Sequence, residues 1–407
     1  MNMNTPLTIP PDAILKDFNT LLDWIEREGV IPVTPNQTSI SITLLPHLNT
    51  LMKHPITIDL KRPGQQAFPH LRILFMLLRG SGLGLLKQVG KKAKLSIDTE
   101  LRKQWDNLSP TEQYFTLLQT ALKNGAEEII GERATGFAGI IGCLTWLEKN
   151  LQKTIQFQEY KQQLAMYSPQ SYAIAFMELF GLLKVEHGKP ETGKGWRILS
   201  MRVTTFGKTL SPLLFQAFQK ELMSDNYDNS DENNNWLQLH LKHKFPSWKN
   251  SLKLPKAAKI TGSAIFKVSW QKSWRKIIIN TSENLDTLSY AITQAFDFDF
   301  DHLYCFELKD RCGIIQKFNH PAMEEDLFTD ETRIQDLDLT PGQQILFTFD
   351  FGDWWEFLLT FEEVQPKKQK KAFSIIEKKG QAPEQYPDYD EDYEDEFEFD
   401  ESDIIVL

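Results

Sequence analysis

The 407-residue sequence predicts an α+β, multidomain protein. A mainly helical N-terminal region with two candidate winged-helix-like units precedes an α+β domain with a β-β-α-β core and a closing hairpin. Three observations carry this. The length exceeds that of a typical single domain. Apolar residues up to about position 223 recur at helical spacing, broken by two Gly- and Lys-rich turns. From about position 261 the texture changes to β-branched and aromatic runs of strand length. A hydrophobic fraction of 41% and an aromatic fraction of 12% supply real cores.

PDAILKDFNTLLDWIERE (11–28) spaces Ile14, Leu15, Phe18, Leu21, Leu22 and Ile25 along one helix face, with Gly29 suited to its stop. LPHLNTLMKH (45–54) and 69–80 predict two more helices. Ser109-Pro110-Thr111-Glu112 is a capping box with proline at the first helical position, and its helix runs on to Gly125. Further helices are predicted over 137–149, 151–165 and 171–181. FMLLRGSGLGLLK (75–87) and FMELFGLLKVE (176–186) echo each other. Each ends in Gly-Leu-Leu-Lys, and each leads through a basic, Gly-containing turn and a strand-like run to another helix. That order predicts a helix followed by a two-stranded wing.

SDNYDNSDENNN (224–235) lacks the apolar residues needed to order itself and opens a predicted polar linker over 224–260. AIFKVSW (264–270) and WRKIIIN (274–280) predict a hairpin. LDTLSYAITQAF (285–296) predicts a helix capped by Asn284, and HLYCFEL (302–308) a strand. GQQILFTFDF (342–351) and WWEFLLTF (354–361) close the domain, which is expected to span 261–365. Residues 366–407 are expected to form a Lys-rich, then acidic, disordered tail.

In that order, WRKIII, LDTLSYAITQAF, DHLYCFEL and RIQDLDLTPGQQILFTFDFGDWWEF resemble the plasmid pRi Orf-three-like domain family. The resemblance covers about 261–395, including GQAPEQYPDYD (380–390). It implies the fold of this region and no established activity; some members are labelled insertion-element passenger proteins. The family commonly shows a His shortly after the Trp of the Asp-Phe-Gly-Asp motif, where this chain has Phe357. Residues 1–235 show no comparably sharp resemblance.

FDFGDWWEF (349–357) is the densest stretch of chemistry, with Asp350, Asp353 and Glu356 three apart. On a helix they would share a face, but the flanking runs predict strands, and Gly352-Asp353 predicts a two-residue II′ turn. In that register Asp350 faces Trp355, and the three acids do not converge. Asp353 is then expected to bond turn amides, and Asp350 to accept from a donor such as the Trp355 indole. Arg275 is an alternative partner. Asp350, the weak catalytic candidate, is joined by His302, Asp353, Trp355 and Arg275 as binding candidates. His302, Cys305, Cys312 and His320 lack the close pairing of a zinc site, and Cys143 reads as core. His187 has no evident partner. No metal or cofactor is expected.

The net charge of −10 is concentrated in DYDEDYEDEFEFDESD (388–403), which holds 11 of the 55 acids; the remaining 44 are balanced by 45 basic side chains. KKQKKAFSIIEKK (367–379) precedes it. The tail reads as a solubilising extension or as a lid over basic residues. Lys91, Lys92 and Lys94 in the first wing, and Lys194, Arg197 and Arg202 in the second, are nucleic-acid candidates. A nearly neutral body falls short of a strong electrostatic footprint. The start has no signal-peptide pattern, the apolar runs are too short for a bilayer, and three cysteines fit a reducing compartment, so a cytoplasmic, non-membrane protein is expected. The functional expectation is a non-enzymatic binding or adaptor protein whose partner, a protein or duplex DNA, the sequence does not identify. The alternatives are a duplex-DNA-binding protein and, third, an enzyme centred on Asp350.

Overall fold

The computed structural model describes residues 13–34, 37, 39–89, 92–124, 136–164, 170–222, 236–255, 259–323 and 327–386. The polar stretch 224–235, the acidic run 388–403 and Lys91 lie outside them. The chain contains both helices and sheets and divides into two units. One comprises Met1–Lys259, Glu307–Lys317 and Asp338–Gln343; the other comprises Ile260–Phe306, Phe318–Leu337 and Gln344–Leu407.

In the first unit, α1 (Ala13–Glu28), β1 (Ile31–Pro32) and α2 (Leu45–Leu51) lead to α3 (Pro69–Gly80). Every residue of α3 is buried, including His70, Arg72 and Arg79. The hairpin β2 (Gly84–Val89) and β3 (Lys92–Ile97) precedes α4 (Thr99–Asp106), which Asp98 caps by accepting from the amides of Glu100 and Leu101. α5 (Pro110–Asn124) starts on the expected capping box: the Ser109 amide and hydroxyl both donate to Glu112 at 2.8 Å. The other Glu112 oxygen accepts from the amides of Lys249 and Asn250. Burial opposes this charge, but the Ser109 and 249–250 hydrogen bonds outweigh it and hold the carboxyl down at about 2.

α6 (Gly136–Lys149) follows. The helix expected over 151–165 is instead β4 (Thr154–Gln156) and a short α7 (Tyr160–Leu164). Ile155 pairs with Met201, so a sheet claims the stretch that periodicity assigned to a helix. α8 (Ser171–Leu179) packs on α3 and leads to β5 (Leu183–Gly188), β6 (Arg197–Val203) and α9 (Thr205–Leu222). The two hairpins sit in matching three-stranded sheets, β1-β3-β2 and β4-β6-β5, each gaining its third strand on the hairpin's second strand.

The linker expected over 224–260 is too long. α10 (Trp236–Leu241) and the residues after it bury Leu237, Leu241, Phe245 and Trp248 in the helical core, with Trp248 stacked 4.0 Å from Phe115. Four large apolar side chains in a dozen residues outweigh the polar composition around them.

The second unit is built on a seven-stranded sheet, in the order β10-β9-β11-β12-β7-β8-β13. Its strands are β7 (Ser263–Trp270), β8 (Ser273–Asn280), β9 (Tyr304–Lys309), β10 (Ile315–Asn319), β11 (Gln344–Phe349), β12 (Trp355–Gln365) and β13 (Phe373–Lys379). α11 (Leu285–Ala295) is capped by the Asn284 carboxamide, which accepts from the Thr287 amide. It buries Leu285, Leu288 and Ile292 in a core with Phe266, Phe347, Phe357 and Leu359.

Two expectations change here. Residues 366–386 belong to the folded unit: β13 pairs antiparallel with β8 along its length, and Gln385 is buried. The β11–β12 connection is not a two-residue turn. Phe349 pairs with Trp355 and Phe347 with Phe357, so residues 350–354 form a five-residue loop. The left-handed backbone falls on Asp350 (φ 57°) and Trp354 (φ 56°), not on Gly352. The changed register moves Phe357 and Trp355 to the face of Phe347 and Phe349, because side-chain direction alternates along a strand.

Candidate functional site

Three segments of the second unit meet through hydrogen bonds: the α11–β9 loop, the 350–354 loop and the chain after β13. The Asp350 amide donates to the Leu303 carbonyl at 2.9 Å. Gln385 docks edge-on against the α11–β9 loop, its carboxamide oxygen accepting from the Asp299 amide at 2.6 Å. Its nitrogen donates to the Asp299 carbonyl and to the Tyr386 hydroxyl. Tyr386 donates to Asp301 at 2.9 Å.

His302 sits at the centre. Its Nε2 is 3.1 Å from the Tyr386 hydroxyl, 3.5 Å from Asp350 Oδ2 and 3.7 Å from Asp301 Oδ1. The phenol proton is committed to Asp301, so Nε2 carries a hydrogen and donates into this ring of oxygens. Burial, the Asp301 hydrogen bond and the charges of Asp301, Asp299 and Asp350 push Tyr386 up to about 12.

The structure thus brings His302 and Asp350 together, two residues singled out from sequence. Asp350 earns its position locally as well: Oδ1 accepts from the Gly352 amide at 2.8 Å, and its carbonyl accepts from the Trp354 amide. Asp353 is exposed in the same loop and holds no turn amide of its own. The expected indole partner fails, for Trp355 points into the core against Phe298 and Trp270, and its buried Nε1 makes no hydrogen bond. Arg275 does not reach Asp350 either. Its guanidinium donates to the carbonyls of Ala295, Trp274, Lys379 and Gly380 and lies 4.7 Å over Phe296, tying β8, α11 and the end of β13 together. Tyr386, Gln385 and Asp301 escaped the sequence reading because Gln385 and Tyr386 sat in what looked like a tail.

Around this network large apolar side chains stay in solvent. Trp354 is 57% exposed, Tyr386 48%, and Tyr290, Phe300 and Leu303 join them. Trp354 touches Phe351 and is held by a hydrogen bond from Nε1 to Glu356.

In the first unit, a buried polar column was likewise unread. Glu178 on α8 accepts from His70 on α3 at 2.8 Å and from His187 on β5 at 2.9 Å. Trp196 donates to His187 Nδ1 at 3.1 Å, which assigns His187 as the neutral tautomer protonated on Nε2. Burial opposes the Glu178 charge, but the two histidine hydrogen bonds outweigh it and hold the carboxyl down at about 2. His54 stacks on His187, and burial lowers its pKa. His187 therefore has partners, contrary to the expectation.

The basic candidates do not act alike. Lys92, Lys194 and Arg202 are exposed, and Lys94 is half-buried. Arg197 is buried, donating to the carbonyls of Phe157 and Gln158, and is withdrawn from any surface role. Arg102, just beyond the first hairpin, is matched by Asp23, Glu26 and Asp106. Cys143, Cys305 and Cys312 are buried thiols, with Cys143 pushed up to about 12 by burial. His320 accepts the Ala322 amide at Nδ1. Among the described residues, no group of three or more His, Cys, Asp or Glu side chains is arranged to hold a metal ion. No helix among them is long and apolar enough to cross a membrane.

Residues 266–399 match the family model described as Plasmid pRiA4b ORF-3-like protein, so the resemblance read from the C-terminal motifs is shown for that part of the chain. No curated protein matches the sequence. Among solved structures, a protein of unknown function from Methanosarcina mazei Go1 is 22% identical, with a TM-score of 0.27, covering 30% of this chain and 73% of its own.

Proposed function

We propose that this chain, whose C-terminal part carries that family's domain, is a non-enzymatic binding protein that engages a protein partner at the loop end of its second unit. The observation that carries this is Trp354: a large aromatic side chain in left-handed backbone, more than half in solvent. Left-handed backbone costs a non-glycine residue about 1 kcal/mol, and exposed apolar surface gains nothing in the free protein. Both are explained if the surface is covered in a complex. Asp350, the residue on which an enzyme would turn, spends one carboxylate oxygen on shaping the loop.

The duplex-DNA alternative rests on the first unit. Its two helix–hairpin–helix segments, each with a third strand, support a winged-helix-like reading, and Lys92, Lys194 and Arg202 remain exposed. The burial of Arg197 and the neutralisation of Arg102 weaken it, as does a body that is nearly neutral outside the acidic run 388–403. Two measurements decide. Incubated with duplex DNA at low salt, the full chain is expected to leave the duplex unshifted; a complex that weakens steeply with salt favours the DNA reading. A photo-crosslinking residue at position 354 is expected to capture a protein from cell extract where the same residue at exposed Ile375 does not. Equal capture at both positions, or none, removes the loop end as the binding surface.

A further inference from the structure

Resting on the loop end as the binding surface, we infer that its occupant is a cationic segment of the partner, with a Lys or Arg side chain laid across the Trp354 indole and its charge directed to the loop carboxylates. Charge complementarity selects this occupant. The two loops that frame the surface, 296–303 and 350–354, carry Asp297, Asp299, Asp301, Asp350 and Asp353 against a single histidine and no Lys or Arg. The His302 Nε2 proton already points into Asp350, Asp301 and Tyr386, leaving exposed Asp353 for an incoming cation.

The aromatic side chains add the second half of the argument. Indole is the best of the aromatic faces for a cation, and the attraction grows as the pair is desolvated. Trp354 is pre-positioned for it. Its amide donates to the Asp350 carbonyl at 2.6 Å and its Nε1 to Glu356 at 3.1 Å, so the ring is held while its surface stays exposed. Tyr386, fixed at its hydroxyl by Asp301 and Gln385, offers a further aromatic face, and Leu303 an aliphatic contact for the stem of a long basic side chain. An anionic or nucleic-acid occupant would meet five carboxylates.

The test uses the full chain and a fluorescein-labelled peptide of alternating Arg and Ala, with a Glu-and-Ala peptide as control, read by anisotropy at two salt concentrations. The Arg peptide is expected to bind, more weakly at high salt, and the Glu peptide not to bind. Trp354→Ala is expected to weaken binding by up to tenfold, the size of a partly desolvated cation–π contact. Trp354→Gly, which suits the left-handed backbone, is expected to do the same, separating loss of the indole from loss of fold. Asp301→Asn with Asp353→Asn is expected to weaken binding and flatten its salt dependence. Two results overturn the inference: no binding of the Arg peptide, or binding untouched by the loop variants and abolished when the acids of 388–403 are replaced by Gln and Asn. If position 354 crosslinks a partner while the Arg peptide fails, the binding surface stands and the cationic occupant falls.

Discussion

Glu178 satisfies two imidazoles with one carboxylate, and its own side chain is nearly out of water. Replacing it by Gln removes the charge and leaves one histidine poorly matched. Removing one member of a buried charged set costs several kcal/mol, and a polar isostere recovers part of that. Glu178→Gln is therefore expected to lower unfolding free energy by about 2–3 kcal/mol at neutral pH, measured by urea titration. The carboxyl is held at about 2, below the ordinary value near 4.3. Its stabilisation is thus fully present above that ordinary value and is lost as pH falls towards 2, so the gap between Glu178→Gln and the parent should narrow between about pH 5 and pH 2. None of this was legible in the sequence. His70 and Glu178 are 108 positions apart, and each sits in an apolar helix with no pattern to mark it. The Ser109–Glu112 box was legible because its partners are three residues apart and the spacing itself makes the bond.

At the scale of elements, strands and helices of the C-terminal domain could be read from alternation and periodicity, while the 350–354 loop could not. Gly352-Asp353 looks like a tight turn, yet Asp350 takes the left-handed position and closes a wider loop with its side chain. A five-residue loop instead of a two-residue turn changes which side chains face the core, and that choice is made by packing of Phe347, Phe349 and Phe357 rather than by turn chemistry. Asp350→Ala loses the acceptor for the Gly352 amide and places alanine in left-handed backbone; a loss of about 2 kcal/mol is expected in thermal or urea unfolding. Gly262 is the more severe case. Its φ is +126°, and a Cβ there would lie 2.0 Å from the Gln365 carbonyl oxygen, backbone against backbone. Gly262→Ala is expected to separate the start of β7 from the end of β12 and to make the C-terminal unit protease-sensitive in limited digestion.

For the whole molecule, the boundary of the second unit lies beyond the point where composition turns polar. β13 covers β8, and the Lys379 and Gly380 carbonyls receive Arg275. A chain ending at residue 365 is expected to lose cooperative melting of the second unit, whereas one ending at 386 should keep it; differential scanning calorimetry separates the two. Lysine runs and acids make 366–407 read as one tail, but backbone pairing is indifferent to such composition, and strand β13 is recruited by the open side of β8. The pinning of Gln385 and Tyr386 has a practical corollary. Tyr386 lies against His302 and Asp301, so a chain cut at residue 386 carries its new terminal carboxylate, and any label or protein fused to it, at that surface. Immobilising such a shortened chain through residue 386 would then blind a binding assay to the surface it is meant to examine.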